Sequence, residues 1–171
     1  MLQINKLIAS IFGIGYVKGG GTLAAIVTCP FIWLMWQQPA LQNPWYLVGV
    51  TVIITLLGIY VGDKVEPIWG KDSYRVVIDE VAGMLVTMLF IPPHLYYLLI
   101  GLVLFRFFDI VKPLGIRRME ALPGGTGVMM DDVLAGVYAN IVLQVIVYFV
   151  VKFYGNASID FSIGMADFVK F

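Results

Sequence analysis

Two pairs of adjacent carboxylates, Asp79-Glu80 and Asp131-Asp132, and a fifth acid, Asp109, set between Arg106 and Lys112, are the residues with most capacity for chemistry in this chain. A single acid at a helix N-terminus complements the helix dipole, but that role accounts poorly for two adjacent acids occurring twice. Several carboxylates together offer hard oxygen ligands that suit Mg²⁺, an ion that keeps waters and binds through a few carboxylates plus substrate phosphate. The chain has one His and one Cys, so a zinc site of the usual nitrogen and sulfur ligands is not expected. The expected metal ligands are Asp79, Glu80, Asp131 and Asp132.

Arg106, Asp109 and Lys112 recur at three-residue spacing, which brings them to one face of a helix end. An Arg fork and a Lys there can grip a phosphate, while Asp109 orients the Arg or joins the metal. The plainer account is an intrahelical salt bridge at an interface. Two glycine-rich stretches, Gly13 to Thr22 and Gly124 to Gly127, let backbone amides approach a ligand, and Thr22 begins an apolar run where it can cap a helix or contact phosphate. Neither stretch matches a nucleotide-binding pattern.

The elements that position these residues must be membrane helices. Of the 171 residues 60% are hydrophobic and 13% charged, with no net charge, against roughly 25% charged in ordinary soluble domains. The balance argues against a nucleic-acid partner, which calls for a basic excess. No charge falls between Lys18 and Asp63, and the polar stretch from Gln37 to Pro44 divides that run into spans over Gly21–Trp36 and Trp45–Gly62. Val81–Phe105 holds Pro92-Pro93-His94 at its middle, and two prolines in a row predict two helices joined by a turn. Val133–Val151 is a further span. The fold expected is an all-α, small multi-pass bundle of about four to five membrane-embedded helices in one domain over 1–171, with a core at about 13–151 and a tail at 152–171. Met1–Ile14 reads as an interfacial lead-in, Trp33, Trp36, Trp45, Tyr96 and Tyr97 as an interfacial belt, and Cys29 as a small buried hydrophobe. Most Lys and Arg lie at the N-terminus and in 63–78 and 106–132, which by the positive-inside rule face the cytoplasm together with the acids. Five crossings then leave the tail on the far side.

Metal-bound carboxylates flanked by Arg and Lys at a lipid boundary point to chemistry on a lipid phosphate. A cysteine phosphatase is excluded because Met35 stands six residues after Cys29, and a histidine phosphatase because His94 is the single His. The aspartyl-phosphate type is excluded by the absence of an Asp-x-Asp pair, and the CDP-alcohol phosphotransferase type by the absence of Asp-Gly-x-x-Ala-Arg.

Ile78-Asp79-Glu80-Val81-Ala82-Gly83-Met84, Phe105-Arg106-x-x-Asp109-x-x-Lys112-Pro113 and Gly124-Gly125-x-Gly127-Val128-Met129-x-Asp131-Asp132-x-x-Ala135-Gly136 closely resemble the phosphatidylglycerophosphatase A family. The resemblance runs from about Gly13 to Val151. It departs at Lys18-Gly19-Gly20-Gly21-Thr22, where the family usually carries a Pro-Gly-Thr stretch. It implies a Mg²⁺-dependent enzyme of the bacterial cytoplasmic (inner) membrane that removes the terminal phosphate of phosphatidylglycerophosphate to give phosphatidylglycerol. On this reading Asp79, Asp109 and Asp131 are catalytic, with Asp109 or Asp79 taking the proton of an attacking water. Arg106, Lys112 and Thr22 hold the substrate. The rival expectation is a small cation carrier or channel subunit, which predicts acids near the membrane midplane and gives Arg106 and Lys112 no role.

Overall fold

A computed structural model describes residues 1–71, 73–113 and 115–154. The described residues form helices α1 (Leu2–Ala9), α2 (Gly20–Gln37), α3 (Pro44–Trp69), α4 (Ile78–Thr87), α5 (Leu95–Val111) and α6 (Gly124–Tyr154), with short 3₁₀ turns between them and no strand. The expectation for the tail falls largely on 155–171, outside the described residues.

Three of these helices, α2, α3 and α6, are long and apolar enough to cross a membrane. The Gln37 to Pro44 stretch does separate α2 from α3, and Asn43 starts α3 by accepting the Trp45 N–H at 3.0 Å ahead of Pro44 in the first turn. Pro92 and Pro93 lie in the turn between α4 and α5, so the apolar run from Val81 is two helices, as their missing N–H groups require. At about 1.5 Å per residue, the ten residues of α4 extend only about 15 Å, too short to cross alone.

The short α4 sits at the centre of the bundle, with residues 82–88 buried, and touches α2, α3, α5 and α6. Its heaviest packing is against α6, where Gly83 and Gly136 meet. A Cβ on Gly136 would strike the Gly83 carbonyl oxygen, and one on Gly83 the Phe105 ring and the Asp132 carbonyl. Close backbone approach through small residues is the usual way membrane helices associate. The α4 C-terminus lies in this apolar interior, where water cannot satisfy its last carbonyls. Asn140 does so instead, donating from Nδ2 to the carbonyls of Thr87 (2.9 Å) and Leu89 (2.8 Å), while Gln144 donates to Asn140 Oδ1 at 2.7 Å. Thr28, Thr51, Thr55 and Thr87 each return their hydroxyl proton to the carbonyl four residues earlier.

A second core cluster joins Ala9 of α1 to Val61 and Val65 of α3, Val76, Ile78 and Ala82, and Val128 and Met129 of α6. This cluster lies behind the acid-bearing end of α4. Of the expected belt residues, Trp45 and Tyr96 are exposed, but Tyr97 is buried in the core with its ring against His94. Cys29 is buried, as expected.

Candidate active site

Each acid owes its position to a helix end. Asp79 and Glu80 lie in the first turn of α4, Arg106 and Asp109 in the last turns of α5, and Lys112 just beyond, as a left-handed residue that ends α5. Asp131 and Asp132 lie in the second and third turns of α6. Because α4 and α5 are antiparallel neighbours, and α6 packs against both with its start at the same end as that of α4, all seven converge on one cavity of about 590 Å³. Thr22 and the glycines at the start of α2 form another wall.

Within the cavity the acids divide into two groups. Glu80, Asp109 and Asp132 each present an oxygen within 4.8 Å of the others, close enough to share one cation. Arg106 ties the group together, bonded through Nη1 to Glu80 and, at 2.8 Å, to Asp109. Asp131 points elsewhere: its Oδ2 accepts from Lys112 Nζ at 2.7 Å, and Lys112 also donates to Glu120 at 2.6 Å. Asp79 accepts the Glu80 N–H at 3.0 Å and lines the cavity beside the trio. So of the four expected ligands Glu80 and Asp132 lie in the trio, Asp79 and Asp131 flank it, and Asp109 is its third member.

The electrostatics follow from crowding acids in a partly dry space. Glu80 and Asp79, at the start of α4 and outside the three spanning helices, are both pushed up. Burial lifts Glu80 to about 7, neighbouring Asp109 adds to this, and Arg106 opposes it. Burial likewise holds Asp79 well above the usual carboxylate range, and Glu80 and Asp131 reinforce it. Burial pulls Lys112 the other way, but its bonds to Asp131 and Glu120 win and hold its pKa above the ordinary lysine value. A positive charge placed among these carboxylates would relieve their mutual repulsion. An all-carboxylate donor set of three converging oxygens fits a hard divalent cation.

The two glycine stretches part company. Gly19, Gly20 and Gly21 open α2 onto the cavity, and Gly21 passes so close to Glu80 that a Cβ there would strike its carboxylate. Gly124 and Gly125 serve packing instead: a Cβ on Gly125 would strike the Ile59 carbonyl of α3, and the Gly125 N–H donates to Asp63 Oδ1 at 2.6 Å. None of Gly124 to Gly127 lines the cavity, so of the two uses open to such a stretch, ligand approach and close helix packing, this one has the second. His94 lies in the turn between α4 and α5, at the end opposite the acids. Glu120 was invisible in the sequence, because it reaches Lys112 across a turn with no helical spacing to reveal it.

Comparison with known proteins bears on this arrangement. No solved structure matches the chain. A protein of Bacteroides thetaiotaomicron, whose name gives it provisionally as a phosphatidylinositol-3-phosphatase, is 41% identical over 144 residues, 81% of this chain and 91% of its own length. Proteins named phosphatidylglycerophosphatase A are 42% identical in Haemophilus influenzae, over 57% of this chain and 62% of theirs, and 32% identical in Escherichia coli, over 74% and 73%. The family model for phosphatidylglycerophosphatase A matches residues 7–147, which takes in every acid and base of the cavity, and the chain belongs to the phosphatidylglycerophosphatase A family.

Proposed function

We propose that this lipid phosphatase hydrolyses the terminal phosphomonoester of phosphatidylglycerophosphate, releasing phosphate and leaving phosphatidylglycerol, in a Mg²⁺-dependent reaction at the cytoplasmic face of the bacterial inner membrane. The observation that carries the reading is the trio of Glu80, Asp109 and Asp132, braced by Arg106 at the floor of a cavity walled by membrane-helix ends. Those three residues would hold Mg²⁺, which when bound neutralises phosphoryl oxygens and makes a coordinated water more acidic.

The chain's own groups supply the rest. Arg106, whose Nε is a buried donor with no partner among the described residues, and Lys112 place positive charge beside the cavity. There they balance the charge that a loose phosphoryl-transfer transition state spreads over its oxygens. Asp131 and Glu120 hold the Lys112 ammonium in place. Asp79, outside the trio but lining the cavity at its edge, would accept a proton from an attacking water when the bound cation draws its pKa down. The first turn of α2, with the Thr22 hydroxyl and the backbone N–H groups of Gly21 and Thr22, would offer donors to the phosphate from the opposite wall.

The name of the Bacteroides relative favours a second substrate reading, a phosphoinositide monoester. Both lipids carry a phosphomonoester beyond a diacylglycerol phosphodiester. Phosphate release by the detergent-solubilised protein from each lipid, supplied separately with Mg²⁺, decides between them. Preference for phosphatidylglycerophosphate by about tenfold or more in kcat/KM is expected, and preference for the phosphoinositide would overturn the assignment. The cation-carrier reading has less support, because the acids sit at helix ends and are paired with Arg106 and Lys112.

A further inference from the structure

A lipid whose phosphate lies among the carboxylates must keep its acyl chains in the bilayer, so the cavity needs a side opening; this requirement rests on the lipid-phosphatase reading. We propose that the opening lies between α2 and α5, and that the substrate's acyl chains run down the apolar strip that these two helices present below the cavity.

The other sides are closed. Around the central α4, helix α6 packs extensively against both α3 and α5. On the α2–α3 side the two helices barely touch, but the gap is covered at the level of the cavity: Gly15, just ahead of α2, packs against the Arg75 backbone, the Val77 N–H donates to the Ala9 carbonyl at 2.9 Å, and Ala9, Val76, Val61 and Val65 share one core. Helix α3 contributes no residue to the cavity wall. The contact between α2 and α5 is sparse by comparison with those of α6, although both helices line the cavity.

Each of the two helices also changes character in the direction a lipid would require. One turn below Thr22 on the same face of α2 is Ile26, 44% exposed. Below Arg106 on α5 come Val103, 68% exposed, and Leu99, 50% exposed. Polar groups at the cavity thus give way to accessible apolar side chains on both walls, matching a charged headgroup above hydrocarbon.

The test narrows the strip and reads how turnover depends on chain length. Ile26→Trp and Leu99→Trp are compared with Ile53→Trp on α3 and Ile141→Trp on α6, which are also exposed apolar residues but belong to helices other than the two that flank the gap. Each is assayed on phosphatidylglycerophosphate carrying two oleoyl chains and on the water-soluble form carrying two butyryl chains. The ratio of the two kcat/KM values cancels differences in the amount of folded protein. The ratio should fall by about tenfold in the Ile26 and Leu99 variants and stay within about twofold of the parent in the other two. An unchanged ratio in both gap variants, or an equal fall in the Ile53 or Ile141 variant, would overturn the route. No turnover of either form by the parent protein would instead defeat the phosphatidylglycerophosphate reading, and the route with it.

Discussion

Glu80 and Arg106 stand 26 positions apart in the chain, and their ion pair fastens the first turn of α4 to the last turns of α5. The pair can form only because the chain reverses at Pro92-Pro93; a continuous helix from Val81 to Phe105 would carry the two residues to opposite ends. Arg106 is also bonded to Asp109, so one guanidinium sets the spacing of two of the three clustered acids. Arg106→Lys keeps the charge but loses the fork that spans both carboxylates. A fall of about 10²-fold in kcat with little change in thermal stability is expected, checked by phosphate release alongside a melting curve.

Metal dependence and pH are linked through Glu80. Its pKa in the folded protein, about 7, exceeds the ordinary 4.5. A raised folded pKa means that its contribution to stability is fully present below about 4.5 and is lost as pH rises through about 7. The metal-free protein should therefore melt at a lower temperature at pH 8 than at pH 5, and added Mg²⁺ should raise Tm more at pH 8 than at pH 5. Melting curves in EDTA and in Mg²⁺ at both pH values check the sign, and Glu80→Gln should flatten the metal-free dependence.

Asn140 is placed to act on stability without touching substrate. Asn140→Leu removes both N–H donors to the Thr87 and Leu89 carbonyls at the partly buried C-terminal end of α4. A loss of about 1–2 kcal/mol is expected, checked by denaturant unfolding in detergent. The cavity residues keep their own partners, so kcat of the folded fraction should fall by less than about threefold.

Gly136→Ala tests the α4–α6 contact that sets Glu80 against Asp132. The added methyl meets the Gly83 carbonyl, which cannot turn aside as a flexible side chain could. Separation of the helices should cost about 1–3 kcal/mol and lower activity as well, whereas Gly49→Ala, which meets nothing nearby, should leave activity unchanged. Unfolding and turnover measured on the same preparations check both.

The helix order and the convergence of acids were legible in the sequence because charge-free runs, the proline pair and helix-end acids each carry a direct physical meaning. Which acid of each pair joins the trio was not. Adjacent residues on a helix point about 100° apart, so one of Asp131 and Asp132 must turn from the cluster, and the choice depends on how α6 is rotated against α4. Packing at Gly83 and Gly136 fixes that rotation, and those contacts lie 53 positions apart. The role of the second glycine stretch was not legible for a related reason: a missing Cβ serves ligand approach and helix approach equally, and the deciding partner, Asp63, is 62 residues away. Glu120 illustrates the same limit, since a bond across a turn leaves no periodic trace.

The proposed reaction depends above all on Glu80, Asp109 and Asp132 acting together as a metal-dependent centre. The decisive measurement is phosphate release from phosphatidylglycerophosphate by the parent protein and by Asp132→Asn, each in Mg²⁺ and in EDTA, on samples shown to be folded. The account predicts release by the parent in Mg²⁺ alone and a loss of about 10³-fold in the variant. Equal release in EDTA, or an Asp132→Asn protein as active as the parent, would contradict it.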